Sequence, residues 1–275
     1  MGNNKWIVLD FLNHDGLSDA VLLSDEEKEI SEVIADRDYA IGEQVLIRYG
    51  KFPNSTLLLD FGFTLPFNTH DQVQICVDVP LEDPLCTMKL DLLHRHRMPM
   101  FTNINGPGSS GNSFTIREVR SCQGKGKGIP QSLRAFARVL SIESPEELKD
   151  LEAEAAEHDG RLGRRPLKNM ENEIKANQIL ISKISHMVQS HDVSIKSLNS
   201  FSCANGGPHD LRRRMAEDLL AGELRVLKSA LAWLVNYNAR LSNSKATDVD
   251  GWRVIIRRDH VRGAHDNHAV AASLN

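Results

Sequence analysis

In residues 46–63, LIRYGKFPNSTLLLDFGF, two aromatic-glycine pairs stand close together, Tyr49-Gly50 and Phe61-Gly62-Phe63, with Asn54 between them. Upstream lies Asn13-His14, and Gly42-Glu43 precedes the run that ends at Tyr49. These residues offer a phenol, carboxamides and an imidazole: groups that orient a reactant by hydrogen bonding. Taken singly, each has an ordinary structural account, because Asn-His is common in turns, Tyr49 can be a core aromatic at a strand end, and Phe61 and Phe63 can pack under a loop. Their order and spacing set them apart.

Other chemistries find less support. Gly124-Lys125-Gly126-Lys127-Gly128 lacks the spacing and the terminal Lys-Ser/Thr of a phosphate-binding loop and reads as a flexible basic loop. His94 and His96, two apart on a helix, point to different sides, so no metal pair is expected. Asn54-Ser55-Thr56 is a formal glycosylation sequon in a chain without a secretory signal. There is no nucleophile elbow, no H-E-x-x-H and no local Cys/His signature.

The 275 residues are 41% hydrophobic and 25% charged with a net charge of -4, which permits a substantial core and argues against a polyanion partner such as nucleic acid. The four cysteines, at 76, 86, 122 and 203, never form C-x-x-C, and no apolar run suggests a membrane span.

The elements that must position the singled-out residues begin with short strands to about residue 66: 20–23, 32–34 and 44–49. A further strand, 72–79, stops at Pro80, and a helix opens at Asp83-Pro84 and runs toward Pro99. Residues 103–113 read as a loop before a strand at 114–116. Helices dominate from Pro130, with a cap at Ser144-Pro145-Glu146-Glu147, a long helix from near Pro166 through Val188, and another from about Asp210 through Leu219, Leu220, Leu224, Leu227 and Leu231 to Val235. The turn Asn205–Pro208 would make the last two antiparallel, and disorder is expected after Ala239.

The series Asn13-His14, Gly42-Glu43, Tyr49, Asn54 and Phe61-Gly62-Phe63 resembles the C-terminal half of a SET domain, in the version of the plant Rubisco large-subunit and aldolase methyltransferases. The resemblance continues through Asp83-Pro84 and Gly128–Arg134 to about residue 238. It implies an α+β chain, with 1–66 the C-terminal portion of a SET domain, 67–238 a mainly α-helical substrate-binding domain and 239–275 a disordered tail. It implies protein-lysine N-methylation from S-adenosylmethionine, with Rubisco large subunit or fructose-bisphosphate aldolase as the type of protein partner, and no metal, nucleic acid or membrane.

By the same resemblance, Tyr49 is catalytic and cofactor-contacting, Asn13 and His14 hold the cofactor, and Phe61 and Phe63 wall the channel for the substrate lysine. Phe61 departs from the tyrosine of many relatives. The family's Gly-rich opening is missing before Asn13, so the cofactor pocket is expected to be open on one side, and the first reading is an incomplete enzyme, inactive alone or working when a second chain supplies the missing cofactor-binding half. The alternatives are a non-enzymatic protein-binding module and a truncated gene product. Family members enter the chloroplast, but no transit peptide precedes residue 13, so this sequence as written would stay in the cytosol.

Overall fold

The computed structural model describes residues 12–25, 27–28, 30–96, 112–121, 125–157, 162–163, 167–200 and 208–249. It is an α+β fold of small two-stranded sheets and long helices. The strands are β1 (Asn13–His14), β2 (Val21–Asp25), β3 (Ile30–Ile34), β4 (Leu46–Ile47), β5 (Gln72–Val77) and β6 (Asn112–Arg117). The helices are α1 (Asn54–Thr56, continuing as a π-turn over Leu57–Phe61), α2 (Cys86–Arg95), α3 (Gln131–Leu140), α4 (Pro145–Ala156), α5 (Met170–Ser200) and α6 (Pro208–Val249). Among the described residues, no helix is long and apolar enough to cross a membrane.

The main core is built on β5 and β6. Their alternating sequence sends Val73, Ile75 and Val77 inward while Gln74 and Cys76 face out, and the antiparallel register sets Val73 against Ile116 and Ile75 against Phe114. Phe114 meets Phe136 of α3 edge-on at 5.5 Å, and α6 packs against both strands. Val226, Leu227, Ala230, Trp233 and Leu234 of α6 are buried together with Ala176, Leu180 and Ile184 of α5. Contacts between α5 and α6 pair His191 with Glu223 and Glu173 with Tyr237, so they run antiparallel as expected.

Several elements differ from the sequence reading. The strand expected over 44–49 is reduced to Leu46–Ile47, because its parallel partner β1 offers only two residues. Residues 54–61, within the stretch to about residue 66 expected to hold short strands and turns, are helical; Pro53 precedes the helix and Gly62 ends it in a left-handed conformation at φ 78°. Most of the 103–113 loop lies outside the described residues, but Asn112 and Ser113 already belong to β6. The buried side of α6 is centred on Val226, Ala230 and Trp233, with Leu219, Leu220, Leu224 and Leu231 only half-buried. A helix enclosed by a sheet and other helices hides more than one stripe. It also runs past the expected helix end at Val235 and the expected domain end at 238 to Val249, with Leu241 still buried. Residues 250–275 lie outside the described residues.

The cap at α4 forms as expected on one side: Ser144 Oγ accepts from Glu147 N–H at 3.2 Å, and Pro145 opens the helix. The Glu147 carboxylate turns to Glu143 N–H, one residue before the cap. The β2–β3 hairpin, closed by Asp25 Oδ1 accepting from Glu27 and Lys28 N–H, carries Val21, Leu22, Leu23, Ile30, Val33 and Ile34 at 37–50% exposure.

A glycine inside α6 sets its approach to the segment after α1. A Cβ on Gly222 would lie 2.0 Å from Asp71 Oδ2. Gly222→Ala should therefore destabilise the protein by about 1–3 kcal/mol through this overlap, despite the better helix propensity of alanine. Urea unfolding of the single and Asp71→Ala double variants checks it: the cost of Gly222→Ala should shrink when Asp71 is removed.

Candidate functional site

Asn13 and His14 form β1, which lies parallel to β4, and Tyr49 follows β4 by two residues. This pairing brings residues distant in sequence to one place. Asp15 N–H donates to Ile47 O at 3.0 Å, and Tyr49 N–H donates to His14 Nδ1 at 3.0 Å. The Tyr49 hydroxyl donates to Leu12 O at 2.6 Å, fixing the phenol at both ends. Ser18 Oγ, bonded to Leu46 O at 2.8 Å, ties the turn after β1 back to β4.

The π-turn supplies the other wall. Five residues in that wider winding, followed by left-handed Gly62, send both Phe61 and Phe63 toward Tyr49. Ring centroids are 5.2 Å apart for Tyr49–Phe61, 6.4 Å for Tyr49–Phe63 and 5.7 Å for His14–Phe63. Phe52, not singled out from the sequence, joins the cluster 5.9 Å from Phe61. Thus His14, Tyr49, Phe61 and Phe63 come together as one aromatic group, Phe61 44% exposed, while Asn13 adjoins them in β1 opposite Leu46 with its side chain exposed.

Burial pulls the His14 imidazole below its ordinary pKa, and the nearby Arg48 cation acts the same way against the opposing pull of Asp15. The neutral ring suits the geometry, because Nδ1 must accept from Tyr49 N–H. A histidine depressed in the folded state adds stability that is full above its unfolded pKa of about 6.5 and is lost as pH falls from there through the folded value. An NMR titration should show the His14 midpoint below 6.5, with Tyr49 amide protection falling on the same curve; an unshifted midpoint would contradict the arrangement.

Asn54 has a role the sequence did not reveal. It is fully buried and bridges Leu65, accepting from its N–H and donating to its C=O, both at 2.9 Å. Its own N–H donates to Asp71 Oδ1 at 3.0 Å. Asp71 in turn meets Arg225 of α6 at 3.2 Å, and Thr64 donates to Asp218 of α6 at 2.9 Å. The sequon is therefore closed to a glycan, and the segment carrying Phe61 and Phe63 is fastened to α6. Burial raises the Asp71 carboxyl above its usual value despite the Arg225 partner. Gly222, a glycine inside a long amphipathic helix, is the sequence signal that could have pointed to this close approach.

No cluster able to hold a metal ion occurs among the described residues, and Cys76 and Cys86 are free thiols; Cys122 and Cys203 lie outside them. The loop at 124–128 is held rather than flexible where described: Ile129 N–H donates to Gly126 O at 3.0 Å and Arg117 N–H to Gly128 O at 2.9 Å.

Comparison with known proteins places this geometry. Residues 80–227 match the family described as Rubisco LSMT substrate-binding, just over half of the chain. Curated relatives are named actin-histidine N-methyltransferase: that of Dasypus novemcinctus is 29% identical over 210 residues, and that of Homo sapiens 28% over 210 residues. In each case the match covers 74% of this chain and 32% of the relative, so the chain spans about a third of their length.

Among solved structures, Rubisco LSMT bound to sinefungin and monomethyllysine superposes with a TM-score of 0.56 at 19% identity, covering 86% of this chain and 50% of that one. Rubisco LSMT bound to AdoMet gives 0.55 at 18%, covering 88% and 53%. At that identity the likeness is one of fold, and the plant character expected from the sequence is not met by the curated relatives, which are animal enzymes named for a histidine rather than a lysine. With just over half of its length matched, the chain belongs to the Rubisco LSMT substrate-binding family, in a fold shared with SET-type methyltransferases.

Proposed function

We propose that residues 1–66 provide the C-terminal part of a SET methyl-transfer site and that residues 67–238 hold its protein substrate, the product being an N-methylated side chain. The observation that carries this reading is the convergence of His14, Tyr49, Phe61 and Phe63, with Asn13 next to His14 in β1, beside the matched domain. S-adenosylmethionine, when bound, supplies a methyl group activated on a cationic sulfonium. The donor set fits such a group: an exposed carboxamide, a phenol, backbone polar groups and aromatic faces favourable to a cation.

In this reading the Asn13 side chain and the Asn13-His14 backbone hold the cofactor. The fixed Tyr49 phenol orients the acceptor nitrogen, which must arrive neutral to act as a nucleophile. Phe61 and Phe63 line the way in for the substrate side chain, whose apolar stem favours aromatic contact. The acceptor proposed from the motif is a lysine ε-amine, as in enzymes acting on Rubisco large subunit or aldolase. The names of the curated relatives favour a second reading, in which the acceptor is a histidine ring nitrogen.

Tyr49→Phe tests the central role, because it removes the hydroxyl that bonds Leu12 while keeping the ring. Transfer of labelled methyl to lysine- and histidine-containing peptides should fall about a hundredfold in the variant. Equal rates above background would remove Tyr49 from the chemistry, and no transfer by the parent chain to either peptide would favour the binding-module alternative.

A further inference from the structure

A second cleft opens beside the candidate site, with a volume of about 600 Å³. It is lined by Lys51, Arg117, Arg120, Lys125 and Lys127, with His70. Four of these cations, Arg117, Arg120, Lys125 and Lys127, lie within eleven residues, and the fold brings Lys51 to them in a chain whose net charge is -4. The two carboxylates of the lining do not cancel them. Arg225 Nη2 lies 3.2 Å from Asp71 and its Nε 3.5 Å from Glu118, so both acids are already paired from α6. Lys51, Arg120, Lys125 and Lys127 are exposed and have no ion-pair partner among the described residues.

The cleft adjoins the methyl-transfer residues. Lys51 follows Tyr49 by two positions. His70, set in the cleft, has its pKa lowered by burial and then by the charges of Lys51, Arg48 and Arg120, so the positive field reaches from the cleft to Arg48, the neighbour of Tyr49. Among the described lining residues there is no phenylalanine, tyrosine or tryptophan on which nucleic-acid bases would stack. A concave basic site of this size fits a few acidic side chains of a polypeptide and steers them by charge complementarity.

We propose that this cleft docks an acidic segment of the protein substrate, a run of Asp and Glu flanking the residue presented to Tyr49. The assignment of that segment to a substrate rests on the methyl-transfer reading above.

The test is fluorescence anisotropy of a labelled Glu/Gly peptide, its Gln/Gly counterpart and a thymidine oligonucleotide of equal charge, titrated with the full chain. The acidic peptide should bind, weaken with salt, and lose at least about tenfold in affinity in Arg120→Glu/Lys125→Glu. The milder Arg120→Gln/Lys125→Gln variant should show a smaller loss in the same direction, and thermal melts confirm that both remain folded. Equal binding to parent and variants, absence of binding, or tighter binding of the oligonucleotide overturns the proposal. An S-adenosylmethionine titration of the same samples separates the two readings. Cofactor binding without peptide discrimination overturns only the cleft, whereas peptide discrimination without cofactor binding supports an acidic docking site and overturns the methyl-transfer reading.

Discussion

Glu173→Ala should destabilise the protein by about 3–5 kcal/mol, among the largest losses available to a single substitution. Glu173 and Arg138 are each 3% exposed and form a two-pronged pair, Nε to Oε2 at 2.8 Å and Nη2 to Oε1 at 2.9 Å. The same carboxylate accepts from Leu167 N–H at 3.2 Å and from the Tyr237 hydroxyl at 3.4 Å, joining α3, α5 and α6. Alanine leaves the Arg138 guanidinium buried without its counter-charge, and that uncompensated charge, rather than the net worth of the pair, sets the size of the effect. Urea unfolding measures it. Arg138→Met/Glu173→Leu should lose much less than Glu173→Ala, because it removes both charges; a double variant as unstable as the single would show that the pair matters for shape and not for charge.

Asn54→Ala should cost about 2–4 kcal/mol and disturb the candidate site as well as the fold. The loss strips the Leu65 N–H and C=O of their partners in a region where water does not replace them. Asn54→Asp tests the account from the other side. It keeps an acceptor for Leu65 N–H but sets carboxylate oxygen against Leu65 C=O and beside buried Asp71, so it should be no better than alanine. If Phe61 and Phe63 are held through Asn54, aromatic NMR resonances of His14 and Tyr49 should shift in both variants. Unchanged resonances with lowered stability would separate the anchor from the site.

How much of this was legible in the sequence depended on the range of the signal. Local chemistry was readable: the Ser144-Pro145 start of α4, the alternation of β5, and the apolar spacing of α3 and α5 each follow from neighbours within a turn or two. The site residues were legible as an ordered series, and the structure brings His14, Tyr49, Phe61 and Phe63 into contact, with Asn13 beside His14 in β1. What held them was not legible. A run as short as Leu57-Leu58-Leu59 has no period to distinguish strand from helix, so the π-turn was missed. Asn54, Asp71, Gly222 and Arg225 are ordinary polar residues and a glycine until the chain folds, and only tertiary contact reveals that they join the aromatic segment to α6. The basic cleft was legible in part, since Lys125 and Lys127 stood out as a basic loop with Arg117 and Arg120 close before them, but Lys51 joins them from more than sixty residues away. Leu241 and the last turns of α6 were read as tail because periodicity fades where a helix is covered only in part.

The account stands most directly on whether the residues around Tyr49 hold the methyl donor. Titrating S-adenosylmethionine into the full chain, followed by calorimetry and by the NMR resonances of His14 and Tyr49, measures this. Saturable heat with matching shifts at both residues, lost in Asn13→Ala, is the predicted result; no heat and no shift up to millimolar ligand would contradict it.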